Sequence, residues 1–271
     1  MSNTIRWPNA LAQLLKEGRA AVLVSIIETR GSSPREQGAK MVVAKQQTFD
    51  TIGGGELEFR ASNIAYDMLS SAESVVQFVD FPLGPELNQC CGGNVKLMFE
   101  CFPSSNFHIQ LYGAGHVARA MVNLFGELDC TVRWIDERTD EFPQEVPDNI
   151  TSVITDAFAV EVEAAPSSSW HLILTHSHSL DLEICDAVLS RADFSYCGLI
   201  GSKSKGARFR KRLTERGFSK TELSRLNSPI GLPGMDGKRP MEIAISVVAD
   251  LIQRHQQQQS ITTHHIKLVE Q

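Results

Sequence analysis

The residues of this chain that could do chemistry fall in short clusters. Cys90 and Cys91 are chain neighbours and set two soft sulfurs side by side. Successive α-carbons stand about 3.8 Å apart across a trans peptide, shorter than the usual disulfide span, so the two are not expected to bond to each other. A thiolate there suits a thiophilic metal, and a nearby cation favours the thiolate form. Ser32, Ser33, Arg35 and Lys40 bring hydroxyls and positive charge to one loop region, and Gly53-Gly54-Gly55 brings backbone amides to a helix start. Together these stretches could hold an anion. Glu56 and Glu58 weigh against free amides, because carboxylates in a first helical turn satisfy the same dipole.

A second cluster lies further on. Gly113-Ala114-Gly115-His116-Val117-Ala118 follows the apolar run Ile109 to Tyr112 and fits a G-x-G-x-x-A dinucleotide turn. Gly113 permits the tight turn, Gly115 admits a pyrophosphate, and Ala118 lets the helix sit close on the sheet. Asp136 ends the next strand, where its carboxylate could accept from a ribose 2′-hydroxyl and favour NAD over NADP, although Arg138 stands nearby. Thr175-His176-Ser177-His178-Ser179-Leu180-Asp181 follows another strand, so two imidazoles and a carboxylate could form a metal site or an acid/base pair. Ser202 and Lys203, after the turn at Gly201, are candidates for touching an anion. Each cluster also has a plain structural reading: packed cysteines, a strained glycine turn, a helix cap, a solvated basic helix face.

The elements that must position these residues alternate in a readable way. A short helix from Asn9 to Lys16 precedes a buried strand from Ala20 to Glu28. The Gly31 to Gly38 loop and a strand from Lys40 to Lys45 complete a hairpin-like pair. A helix from Glu56 to Ala72 follows the three glycines, and strands are expected from Val75 to Phe81 and from Asn94 to Phe102. Pro103-Ser104-Ser105-Asn106 is a polar break and the expected domain boundary, which separates residues 1–103 from residues 107–271. Beyond it, short apolar strands alternate with helix-length segments, the signature of parallel βαβ units. The last helix is expected from about Pro240 to about His255, with a frayed polar tail.

Composition bounds the function. Of 271 residues, 42% are hydrophobic and 21% charged, an ordinary globular profile with room for two domains. Lys+Arg 26 against Asp+Glu 32 leaves a formal charge of -6, so no global positive field draws in nucleic acid or an anionic bilayer. The six cysteines are too sparse for a disulfide scaffold and are read as reduced thiols. The first residues lack the pattern of a signal peptide, and no apolar run is long enough to span a bilayer, so a cytoplasmic protein is expected.

Taken in order, Gly31-Ser32-Ser33-Pro34-Arg35, Gly38-Ala39-Lys40-Met41, Gly53-Gly54-Gly55-Glu56-Leu57-Glu58, Cys90-Cys91-Gly92-Gly93, Gly113 to Ala118, Gly198-Leu199-Ile200-Gly201-Ser202 and Pro229-Ile230-Gly231-Leu232 resemble the XdhC family of xanthine dehydrogenase accessory factors. The resemblance runs from about residue 10 to 255. It implies an α/β chain: an N-terminal α+β domain of XdhC/CoxI type, then a Rossmann-like domain with a doubly wound parallel sheet. It further implies a carrier rather than an enzyme, one that binds the molybdenum cofactor, protects it during sulfuration by a cysteine desulfurase, and delivers it to the molybdenum subunit of xanthine dehydrogenase. Cys90 or Cys91 is then expected at the molybdenum or its sulfido ligand, with Arg35 and Lys40 on the negative charge of the molybdopterin. A homodimer is expected. Two other readings stand beside this one: an NAD-dependent oxidoreductase, and a nucleotide sensor built on the Rossmann domain.

Overall fold

The apolar, β-branched run that opens the first strand is buried without interruption from Ala21 to Ile26, because that strand lies at the centre of a sheet. The computed structural model describes residues 5–45, 47–71, 75–83, 93–104, 107–235 and 237–269. Its contacts divide the chain into two compact units, residues 1–105 and 106–271.

The first unit comprises α1 (Trp7–Lys16), β1 (Ala21–Arg30), β2 (Lys40–Ala44), β3 (Gln47–Asp50), α2 (Gly55–Ser71), β4 (Val76–Pro82) and β5 (Asn94–Phe102). The sheet order is β3-β2-β1-β5-β4, with every neighbouring pair antiparallel. Burial alternates residue by residue along β5, as the two-residue strand period requires. On one face Leu57, Ala61, Ala65 and Met68 of α2 pack on Val22, Val24, Met41 and Phe99. On the other, Leu14 of α1 packs with Leu23, Val42 and Ala44. The short, polar strand β3 carries no apolar alternation and was not expected.

The second unit comprises β6 (His108–Tyr112), α3 (His116–Phe125), β7 (Thr131–Asp136), β8 (Ile150–Ile154), α4 (Phe158–Ala164), β9 (Trp170–Ile173), α5 (His178–Arg191), β10 (Tyr196–Leu199), α6 (Lys203–Glu215), α7 (Lys220–Ser224), β11 (Leu226–Asn227) and α8 (Pro240–Val269). All six strands are parallel, in the order β11-β10-β9-β6-β7-β8. That is the 3-2-1-4-5-6 order of a doubly wound Rossmann sheet, and its direction reverses between β6 and β9. Helices cover both faces. Met121 and Phe125 of α3 pack with Val247 and Leu251 of α8, and Cys185, Val188 and Leu213 of α5 and α6 pack on Ile173 and Leu199. α8 continues to Val269 instead of ending near His255, because its glutamines sustain a helix as well as most residues do. No helix among the described residues is long and apolar enough to cross a membrane.

Candidate functional site

The glycine turn of the second unit is built by close backbone approach. Gly113 has φ +110° and donates its amide to the Ile135 carbonyl at 2.8 Å. A Cβ at this position would lie 2.3 Å from the Leu174 carbonyl oxygen, so only glycine brings β6 this near the end of β9. Ala118 is buried, which seats α3 on the sheet. Gly115 faces open space and caps α3, and His116 is exposed in its first turn.

Asp136 is 1% exposed at the end of β7. Its Oδ2 accepts from the Ala114 amide at 2.7 Å and from an Arg138 terminal nitrogen at 2.8 Å. Its Oδ1 accepts from the Arg138 amide and from Arg138 Nε, both at 2.9 Å. Burial opposes ionisation of Asp136, but the bonds from Arg138 and Ala114 outweigh it and hold the carboxyl below its usual range. The carboxylate expected to read a ribose is therefore engaged inside the protein.

The loops after β9 and β10 meet around a buried ion pair. Lys205 Nζ donates to Asp181 Oδ2 at 2.6 Å and to the Ile200 carbonyl at 2.9 Å. Asp181 Oδ1 accepts from the Thr175 amide at 3.0 Å and from its hydroxyl at 2.7 Å. This pairing corrects the expectation that His176, His178 and Asp181 work as one cluster. Asp181 turns inward, while both histidines are exposed, and His176 Nε2 lies 3.5 Å from Glu137 Oε1. Among the described residues no group of three His, Cys, Asp or Glu side chains could hold a metal ion. Ser202 caps α6 by accepting from the Lys205 amide at 3.2 Å, and Lys203 is exposed beside it.

In the first unit two segments press on the loop that carries Ser32 and Arg35. A Cβ on Gly53 would lie 2.4 Å from Pro34 Cβ, and one on Gly93 would lie 2.3 Å from the Ser32 carbonyl oxygen. The Ser33 hydroxyl donates to the Arg35 carbonyl at 2.8 Å, and Ser32 and Arg35 are exposed. A cavity of about 640 Å³ is lined by Ser33 to Ala39. Cys90 and Cys91 lie outside the described residues; Gly93 follows Cys91 by two positions in the chain.

Two sets of candidate anion contacts in this unit are engaged internally. The Gly53 and Gly54 amides are not free: Glu58 Oε2 accepts from the Ile52 amide at 3.1 Å, from the Gly54 amide at 3.0 Å and from the Thr51 hydroxyl, while the Gly53 amide donates to Thr51 Oγ1. The chain's own carboxylate fills the place of an anion. Gly55 begins α2 and is exposed. Lys40 does not turn to the Ser32–Arg35 loop either. Its Nζ donates to Ser25 Oγ at 2.6 Å and lies 5.7 Å from the Trp7 ring, because Lys40 shares the α1 face of β2 with Val42 and Ala44.

Lys205 lies among the many charges of the basic α6 segment, and the sequence alone did not set it apart as the partner of Asp181. The usable signal was its place beside Ser202, within the first turn of a helix that starts at the carboxyl edge of the sheet.

Residues 109–251 match the family model described as the XdhC Rossmann domain, and residues 14–81 match that of the XdhC and CoxI family. An uncharacterized protein of Escherichia coli strain K12, YqeB, is 26% identical over 245 residues, which cover 89% of this chain and 45% of YqeB. The chain thus spans about half the length of the curated relative it matches. A crystal structure of a xanthine dehydrogenase from Bacillus halodurans is similar at 20% identity and TM-score 0.49, covering 91% of this chain and 96% of that one. A Rossmann-fold NAD(P)-binding family protein from Shigella flexneri is similar at 12% identity and TM-score 0.36, covering 54% and 86%.

Proposed function

Because the chain belongs to the XdhC family, we propose that it is an accessory factor of xanthine dehydrogenase whose cargo is the molybdenum cofactor. In this reading it holds the cofactor in the cytoplasm as a homodimer and shields it while a cysteine desulfurase supplies the sulfur that replaces an oxo ligand. It then passes the cofactor to the molybdenum subunit of the enzyme. It acts as a carrier and catalyses no redox step of its own.

One observation carries the reading: Gly53 and Gly93 both press on the Ser32–Arg35 loop. The Gly93 contact brings the segment that follows Cys90 and Cys91 to a loop bearing hydroxyls and a guanidinium. Molybdopterin offers a phosphate tail, a hydrogen-bonding pterin and a metal already ligated by sulfur. Arg35 suits the phosphate, because a guanidinium meets phosphate oxygens in a fixed fork. The hydroxyls of Ser32 and Ser33 suit the pterin edge, and a cysteine thiolate suits the molybdenum centre. The Gly53 and Gly54 amides and the Lys40 ammonium do not enter, since Thr51, Glu58 and Ser25 respectively engage them.

The test is anaerobic purification from cells that make molybdopterin, followed by assay of bound pterin and molybdenum. Stoichiometric cofactor is expected on the wild type, with retention reduced in the Cys90→Ala/Cys91→Ala double variant and in Arg35→Ala. Absence of cofactor, together with full xanthine dehydrogenase maturation in cells lacking the protein, would overturn the proposal.

A further inference from the structure

The end of β7 is where a Rossmann unit places an acidic side chain to read the ribose hydroxyls of an adenine dinucleotide. That reading needs a carboxylate with lone pairs to spare. A carboxylate offers about four such sites, and in this chain four donors already reach Asp136: the amides of Ala114 and Arg138, and two guanidinium nitrogens of Arg138. At 1% exposure Asp136 keeps no face toward solvent.

Arg138 is itself held in place. Its remaining terminal nitrogen donates to Glu141 Oε1 at 3.1 Å, and Glu141 also pairs with Arg119 of α3. The chain Asp136, Arg138, Glu141, Arg119 alternates in charge from the end of β7 to α3. A ribose hydroxyl reaching Asp136 must therefore displace a bidentate pair in which donor and acceptor are both charged, while the hydroxyl brings a single bond from a neutral donor.

We infer that Arg138 is the specificity-determining residue of the Rossmann unit: its guanidinium fills the ribose-diol seat on Asp136 from within, so the unit refuses adenine dinucleotides. The inference concerns the second unit alone and does not rest on the cofactor-carrier reading. The Arg138 side chain is 33% exposed while that of Asp136 is 2% exposed. Trimming Arg138 thus connects the carboxylate to solvent.

The experiment is isothermal titration of the full-length protein with NAD and with NADP, for the wild type, Arg138→Ala, Arg138→Met and the double variant Arg138→Ala/Asp136→Asn. The wild type is expected to give no saturable binding of either nucleotide up to about 1 mM. NAD affinity should rise at least about tenfold in Arg138→Ala or in Arg138→Met, which keeps an apolar stem for packing, and the gain should disappear in the double variant. Micromolar NAD binding by the wild type overturns the inference whatever the variants do. Saturable NADP binding by the wild type also overturns it, because the guanidinium would then leave Asp136 for a 2′-phosphate. Folded single variants that gain nothing count equally against it. None of these outcomes bears on pterin retention.

Discussion

Lys205 Nζ donates to the Asp181 carboxylate at 2.6 Å with both side chains almost wholly enclosed, which ties the first turn of α6 to the first turn of α5. The same two residues reach back to Ile200 and Thr175, so one ion pair fixes the loops after β9 and β10. A buried charge left alone is far more costly than a buried pair.

Lys205→Met and Asp181→Asn should therefore each lower stability by about 3–5 kcal/mol. The Lys205→Met/Asp181→Asn double variant, which keeps an acceptor for Thr175, should recover much of that loss. Urea denaturation of the four proteins checks this, and additive losses in the double variant would contradict it.

Gly113→Ala puts a methyl against the Leu174 carbonyl oxygen, backbone that cannot swing aside, at a φ that L-residues avoid. A loss of about 2 kcal/mol or more is expected, from strain and separation of β6 from β9. Gly115→Ala, which meets nothing within 4 Å, should fold with little change. Thermal melts of the two variants separate them.

Glu58→Ala leaves the Ile52 and Gly54 amides without their acceptor and should cost about 1–3 kcal/mol. Glu58→Gln keeps a carbonyl acceptor and should cost less. Hydrogen exchange at the Gly54 amide should quicken in Glu58→Ala; unchanged exchange would mean that Glu58 does not hold this turn.

His171 predicts a pH dependence. Burial pushes its pKa down from 6.5 to about 3, and its Nδ1 lies 3.0 Å from the Tyr112 hydroxyl. Between those values the unfolded chain binds a proton that the folded one does not. Stability contributed by this group is thus complete above pH 6.5 and is lost as pH falls toward 3, with a slope of about 1.4 kcal/mol per pH unit. His171→Gln should flatten the stability profile in this window relative to the wild type, and superimposable slopes would refute the assignment.

The elements were legible where periodicity or spacing constrains them. The β5 limits, Asn94 and Phe102, and the glycine turn feeding α3 follow directly from alternation and from the G-x-G-x-x-A spacing. Side-chain direction was not legible. Nothing in the sequence says that Arg138 folds back on Asp136 or that Lys40 faces Ser25. The first depends on a rotamer that a spacing of two residues does not fix, and the second on a strand partner fifteen positions away in the chain. Strand β11, of two residues, is too short to leave a pattern.

The central strand β1 pairs on one side with β2, its near neighbour in sequence, and on the other with β5, whose last residue is Phe102. During synthesis the first three strands can assemble early, but one rim of β1 stays bare until the ribosome has released residues 94–102. For that interval Ala21 to Ile26 form an open template for any passing strand. The nascent chain is thus most prone to aggregation before the glycine turn at Gly113 is made, and a truncation ending short of β5 should collect in inclusion bodies.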